Sequence, residues 1–482
     1  MVRAPKRALE LLALASLTLG APLCASAQDH NYWNNQFGSQ SALLSGAVVG
    51  GVNDTSAIFY NPGALGFVDN ESLTVSANAL RYEETKLENG AGTGEDLDSE
   101  SVNVVPLLVS GVVIFGDKNE NVLGYGLLSR NTARLKLSDR LDVQGNFIER
   151  DTFPGSENYI GQYNADSSLN EYWGIGTYAR ALNDWLSVGF SGVGAVRQES
   201  FNQSTNVRVI SSSNATQVAL TDDIANYDYL NGRLLGKFGM QAKIDPVRLG
   251  IALTTPSVSI FGTGTTSRDL SVSNINFDGS GPISFVADDR QKDLDSEFKT
   301  PFSVALGADV AASSDTTFSL STEWFAPVGR YAVLKPESRD FLRPPGAATS
   351  SFDAADFLQV VDAADDVFNF ALGLRQRFSA QLEALASFST DYSYARAYDG
   401  NGLSLGDTDF NLYHFAIGGI YHRKMSDVSC GIRYTHGRSE DVRQAVNFGA
   451  PAESSLLLGE PQASRADYNA LSFIVGYTYY FE

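Results

Sequence analysis

The sequence predicts an all-β fold, a transmembrane antiparallel β-barrel of about fourteen strands with an N-terminal plug inside its lumen. Three observations predict it. Apolar and polar residues alternate in segment after segment from Leu73 to the C-terminus. The connections between those segments alternate between very short and long. A small, apolar, non-alternating stretch precedes the first strand and carries a turn signal wrapped in hydrophobic residues.

Period two is the mark of a strand with one apolar face. "WLSVGFSG" sets Leu186, Val188 and Phe190 against Ser187, Gly189 and Ser191. "SVALGAD" sets Val304, Leu306 and Ala308 against Ser303, Ala305, Gly307 and Asp309. "FNFALGLR" repeats the pattern with Phe368, Phe370, Leu372 and Leu374. The predicted strands run near 72–82, 101–116, 120–136, 168–182, 184–200, 228–244, 247–262, 300–312, 316–333, 366–378, 380–395, 408–424, 427–442 and 466–481. The last one carries Leu471, Phe473, Val475, Tyr477, Tyr479 and Phe481 on one face, followed by Glu482. Several exceed the roughly 9–11 residues that cross a bilayer at a tilt, so they project beyond it.

The short connections are "GDKN", "LNDW", "DPV", "SSDT", "FSA" and "KMSD"; the long ones are 83–100, 137–167, 201–227, 263–299, 334–365, 396–407 and 443–465. Short turns at one end and long loops at the other are the pattern of an outer-membrane barrel. Lipid offers no partner to an open strand edge, so such a sheet must close on itself. In that arrangement the apolar face points to lipid and the small or polar face to the lumen.

Residues 1–27 read as a secretory signal: Arg3, Lys6 and Arg7, the apolar run "LELLALASLTLGA", and the cleavage-site residues Ala25, Ser26 and Ala27. Leu23 before Cys24 is unlike a lipoprotein signal, which wants a small residue there. The exported chain then keeps one cysteine, Cys430, which excludes a disulfide-built secreted domain. No later apolar run reaches 18 residues, so no transmembrane helix is predicted. The whole chain carries −21; the signal region is +2, which leaves −23 on the exported part and argues against nucleic acid as a partner. The predicted location is the outer membrane of a Gram-negative bacterium. The predicted domains are the signal 1–27, a hatch or plug 28–71, and the barrel 72–482.

In the plug, "SAIFYNPGALGF" places the turn Asn61–Pro62–Gly63 among Ile58, Phe59, Tyr60, Leu65 and Phe67. A turn in that company is sheltered if the segment folds inside the barrel. Gly46, Gly50 and Gly51 give it freedom to bend. The run "FGSQSALLSGAVVGGVNDTSAIFYNPGALG" resembles the N-terminal hatch of the FadL/TodX-type outer-membrane transporters of fatty acids and hydrocarbons. Asp54, Ser56, Ala57, Asn61, Pro62 and Gly63 stand where that family carries its Asp-x-Ser-Ala segment and Asn-Pro-Ala/Gly turn. The strand count and "LGIALTTP" at 249–256 are also similar. The resemblance implies passive uptake of a hydrophobic compound, a hatch that moves, with Asp54, Ser56, Phe59, Asn61, Pro62 and Gly63 as hatch and gating residues, and a lateral exit near the third strand. It implies no catalytic residue, cofactor or metal.

Several cations fall on the predicted lumen face: Arg233, Lys237, Lys243, Arg248, Arg375 and Arg377. Of these, Arg233, Lys237, Arg375 and Arg377 are candidate contacts for a ligand carboxylate, with pairing to Glu323, Asp309 or Glu383 as the alternative. The first long loop has seven acidic residues and one lysine, without the ordered spacing of a calcium loop. His30, His414, His422 and His436 show no metal-ligand spacing. Cys430 shares a face with Val428, Ile432 and Tyr434, hence lipid. The expected partners are a hydrophobic small molecule and outer-membrane lipid with lipopolysaccharide, and the expected state is a monomer. A general aqueous porin, a structural or adhesive surface protein and an outer-membrane enzyme stay open as other classes.

Overall fold

The computed structural model describes residues 30–481 except 53, 117–119, 149–152, 154, 278, 280, 344–353, 397–402 and 405–408. The predicted signal 1–27 and Glu482 lie outside the described residues. Twenty strands are present among them: β1 (Ser72–Leu87), β2 (Leu97–Phe115), β3 (Asn121–Gly145), β4 (Glu157–Ala181), β5 (Leu186–Ser211), β6 (Val218–Ile244), β7 (Val247–Thr254), β8 (Val258–Ile275), β9 (Ile283–Leu294), β10 (Ser303–Ala311), β11 (Thr316–Phe325), β12 (Val328–Leu334), β13 (Leu342–Arg343), β14 (Val360–Ala364), β15 (Val367–Arg377), β16 (Leu382–Asp391), β17 (Leu403–Ser404), β18 (Asn411–Arg423), β19 (Ser426–Arg443) and β20 (Ala463–Tyr480).

They close a fourteen-stave antiparallel barrel, with β20 pairing back onto β1 from Ser72–Tyr480 to Leu87–Ala466. β7 pairs with the lower part of β6 and β8 with its upper part, so the two form one stave broken at 255–257. β10 and β9 form the next stave, pairing with β7 and β8 respectively. β12, β14 and β17 make a small separate sheet. The fourteen staves follow the predicted order. The hairpin β8–β9 was expected to be mostly loop, and β3 to β6 are far longer than predicted, at 25, 25, 26 and 27 residues.

The extra length explains itself by polarity. Up to Tyr172, Val196 and Leu230, the outward face carries Tyr178, Phe190, Leu234, Phe238 and Met240, all exposed. Beyond that level the same outward positions are Ser168, Asp166, Ser200, Asn202, Asp228 and Asn226. The inward positions invert in step: Tyr159, Tyr163, Leu169, Phe201, Val207, Tyr227 and Tyr229 are buried in one apolar cluster. The barrel is therefore apolar-out within the bilayer and apolar-in above it, where water replaces lipid.

Loops fold into that upper lumen and close it. Phe410, Phe448, Leu456 and Leu457 are buried there. Leu456 and Leu457 both take left-handed backbone angles (φ 54° and 65°), which side chains other than Gly adopt at a cost. Thr221 Oγ1 and Tyr159 OH hold their carbonyls at 2.6 and 2.9 Å. The first loop interlocks with the last: Phe448 N donates to the Ala91 carbonyl and Ala445 N to that of Gly90, both at 2.8 Å.

The ladder between β2 and β3 is incomplete. β2 pairs with β1 from Leu97 to Val112. It pairs with β3 only from Leu108–Leu128 to Phe115–Asn121. Above that level β3 continues to Gly145 paired with β4 alone, with a register shift between Ser129 and Asn131. The backbone ladder between β2 and β3 is thus interrupted above Leu108–Leu128, and across the interruption Ser99 Oγ accepts from Lys136 N at 2.9 Å.

Candidate functional site

The described residues from 30 to 66 lie inside the barrel, and the described residues up to 71 contain one turn of α-helix, Ala57–Tyr60, and a 3₁₀ segment, Pro62–Phe67. A chain with so little secondary structure must find other partners for its backbone groups. The lumen supplies them from small polar side chains. Ser191 Oγ donates to the Ile58 carbonyl at 2.9 Å, and Ser387 Oγ to that of Leu43 at 2.9 Å. Ser321 Oγ accepts from Val49 N at 3.0 Å, and Gln241 Nε2 donates to the Gly50 carbonyl at 3.0 Å. The polar inward face of the barrel is thus the hydrogen-bond lining of its plug.

The predicted turn is buried, with Asn61 fully so. Asn61 Nδ2 donates to the Val49 and Met240 carbonyls at 2.9 and 3.1 Å, and its Oδ1 accepts from Gly63 N at 3.0 Å. Pro62 opens the 3₁₀ segment, where its missing N–H is no loss. Asp54 accepts from Gln40 N at 3.1 Å and Ser56 N at 2.9 Å, and also from the Ser56 hydroxyl. Asp54 with Ser56 and Asn61 with Gly63 therefore form two hydrogen-bonded pairs within the segment. Gly50 serves differently from expectation. A Cβ there would stand 2.7 Å from Ala308 Cα, so Gly50 allows backbone contact with the wall rather than bending.

The first described residues of the segment sit high in the lumen, where Tyr394 N donates to the His30 carbonyl at 2.9 Å. Tyr32 is stacked between Phe325 and Tyr394, with centroids 4.1 and 4.2 Å away. Next in sequence, Asn34 and Asn35 reach the free edge of β3. Asn35 Nδ2 donates to the Ser129 carbonyl at 3.3 Å, and Arg81 holds both amide oxygens at 2.8 and 2.9 Å.

Between the hatch tip and the upper closure lies a luminal cavity of about 40 Å³, lined by Arg130, Glu171, Trp173, Arg233, Phe298 and Tyr394 among others. That volume holds a water or two, not an organic cargo. Glu171 bridges Arg233 at 2.5 Å and Arg197 at 3.2 Å, and Glu199 takes Arg197 at 2.8 Å. Those four charges balance among themselves. Arg130, half-buried, holds no carboxylate among the described residues; its guanidinium stands 5.4 Å from the rings of both Phe59 and Trp173.

The four cations proposed together as carboxylate contacts are split. Arg233 is tied to Glu171, leaving only Nη1 without a partner. Lys237 Nζ donates to the Phe59 carbonyl at 2.6 Å, so it holds the hatch. Arg375 and Arg377 lie at the periplasmic mouth, each 3.9 Å from Glu383, and line a different cavity. Arg130 was missed, although it continues the inward parity of Val122 to Leu128 on β3. Its partners Phe59 and Trp173 come from distant segments and left no sequence signal. His414 does meet an acid and a hydroxyl, Asp391 at 3.9 Å and Thr435 at 2.8 Å, but all three are buried in the wall. Among the described residues no cluster of three His, Cys, Asp or Glu is placed to hold a metal.

No family model and no curated protein matches this chain. Solved structures do. A FadL homologue of Pseudomonas aeruginosa aligns over 94% of this chain and 100% of its own, at 13% identity and TM-score 0.57. The P. putida toluene transporter TodX aligns over 93% and 99%, at 14% identity and TM-score 0.53. The Ralstonia pickettii toluene transporter TbuX aligns over 93% and 99%, at 12% identity and TM-score 0.52. At these identities the likeness is one of fold: the chain has the FadL-type barrel architecture.

Proposed function

We propose that this chain is an outer-membrane channel for hydrophobic small molecules, moved by the cargo's own gradient and gated by its N-terminal segment. The observation that carries the reading is the interrupted ladder between β2 and β3, with Asn35 of the hatch donating to the Ser129 carbonyl where the ladder ends. Apolar cargo gains free energy by leaving water for hydrocarbon, so a side door into the bilayer suits it and would be useless to a sugar. A lumen closed above by loops and filled below by the hatch argues against a general porin. In this reading the closed cavity enlarges when the hatch shifts, and Asp54, Ser56, Phe59, Asn61, Pro62 and Gly63 move with it.

The uncommitted guanidinium of Arg130, set against Phe59 and Trp173, favours a cargo with an apolar body and a carboxylate. A long-chain fatty acid fits that better than a bare hydrocarbon. The test is uptake of labelled oleate and labelled toluene by cells with and without the protein, and with Arg130→Gln. The reading predicts protein-dependent uptake, with R130Q lowering oleate more than toluene. Equal uptake of both probes by cells lacking the protein would overturn it. Swelling of protein-loaded liposomes in sugar solutions would favour the porin.

A further inference from the structure

The mouth facing the short turns holds a second cavity, of about 530 Å³, bordered by hatch residues Gln40 and Asp54 and by the lower ends of β15, β16, β18, β19 and β20. Its charges do not cancel. Asp427 gives one oxygen to His422 Nδ1 at 2.9 Å and the other to Tyr480 OH at 2.8 Å. Asp54 spends both of its oxygens on hatch groups. Glu383 faces Arg375, Arg377 and His422, each at the long distance of 3.9 Å, and Asp309 is a second carboxylate within electrostatic reach of Arg375. Arg423 and Lys424, on the same rim, hold no carboxylate among the described residues. Among the lining residues Arg375, Arg377, Arg423 and Lys424 outnumber Asp54, Glu383 and Asp427, a local surplus of cations in a chain of net charge −21. Ile420, Met425 and Phe481 line the same cavity and give it an apolar side. Its volume falls in the range of small-molecule sites, roughly 300–1,000 Å³.

We propose that this cavity is an anion station for an alkyl carboxylate on the periplasmic side, with Arg375 and Arg377 as the headgroup contacts and Ile420, Met425 and Phe481 against the chain. The assignment rests on the transport reading and deepens it: part of the cargo leaves past the hatch into the periplasm as a carboxylate amphiphile. Two arginines that share one buried carboxylate at 3.9 Å, with His422 as its third neighbour, accept a second carboxylate without breaking a close pair. The neutral alcohol of the same chain length gains none of this.

The test uses the full-length protein in detergent, a diazirine-bearing octanoate and the matching diazirine-bearing octanol, with photolabelled peptides mapped by mass spectrometry. Octanoate is expected to label 375–383 and 420–427, octanol far less. Arg375→Gln with Arg377→Gln should lower that labelling about fivefold or more, the scale of losing partly exposed ion pairs. Labelling beside Arg130 and Trp173 should stay the same in this variant, so loss of the luminal site and loss of the mouth site read out separately. Absent labelling at the mouth, equal labelling by the octanol, or an unchanged yield in the double variant overturns the proposal. An unfolded variant would show itself by losing the luminal label as well; Arg377→Lys, which keeps the charge, should then retain mouth labelling, and its loss would also overturn the assignment.

Discussion

Lys237 on β6 donates its ammonium to the carbonyl of Phe59 at 2.6 Å while standing 4.6 Å over the same residue's ring. One wall residue thereby grips both the backbone and the side chain of the hatch. The Phe59 ring is held in turn against Phe37 and Tyr60, with centroids 4.7 and 5.0 Å away. Replacing Lys237 by Met keeps the bulk and removes the charge and the bond. The lost charge-assisted bond is partly offset by the relief of a buried ammonium, so a net shift of about 1 kcal/mol is expected, roughly fivefold in favour of a displaced hatch. Single-channel recording of K237M should show more frequent opening, with the folded barrel retaining its heat resistance. Unchanged opening would remove Lys237 from the latch.

Gly63 sits where the hatch backbone meets the wall backbone. A Cβ there would stand 2.7 Å from Met240 Cα and 2.8 Å from Gly239 C, atoms that cannot step aside as a flexible side chain can. Gly63→Val should push the turn off β6 at a cost of about 1–3 kcal/mol. The expected result is a leaky barrel with normal electrophoretic folding. Faster protease cleavage near Asn61 in the variant is the direct check; wild-type resistance would count against this close approach.

The loop joining β1 and β2 is expected to respond to acid. Asp96 lies between β1 and β2 and accepts from Lys86 at 2.6 Å and from Asn89 N at 2.8 Å. The Lys86 hydrogen bond, then that from Asn89, holds its carboxyl below the usual range. A depressed folded pKa adds stability above the ordinary Asp value, near 4, and that stability is lost as pH falls through the depressed value. Amide exchange across 88–96 should therefore rise at strongly acidic pH and stay flat through neutrality. Asp96→Asn should remove the acid step; a step that persists in D96N would assign it elsewhere.

Much of this was legible in the sequence, for physical reasons. Lipid imposes a strict alternation, so "FNFALGLR" announces a stave, and Phe368, Leu372 and Leu374 do face outward. The buried turn was legible because Asn61 and Pro62 sat among apolar residues no surface turn would keep. The upper halves of β3 to β6 were not, because above the bilayer the rule inverts. In "FNQSTNVRVI" the outward Asn202, Ser204 and Asn206 look like loop, and only the inward Phe201, Val207 and Val209 keep the strand. The site was legible at the hatch, whose motif is contiguous. It was not at Arg130, Phe298 and Glu171, which meet only after the barrel closes. Nor did parity separate Arg233 from Arg375, since both face inward but at different depths.

The central claim is that the hatch must move for cargo to pass. Ser39 Oγ and Thr478 Oγ1 lie 3.1 Å apart, joining the hatch to β20. In a chain with Cys430 replaced by Ser, Ser39→Cys and Thr478→Cys would tie the hatch to the wall by a reducible bond. Uptake of labelled oleate should stop when the pair is oxidised and return on adding reductant. Uptake by the oxidised protein at the rate of the reduced one would contradict the account.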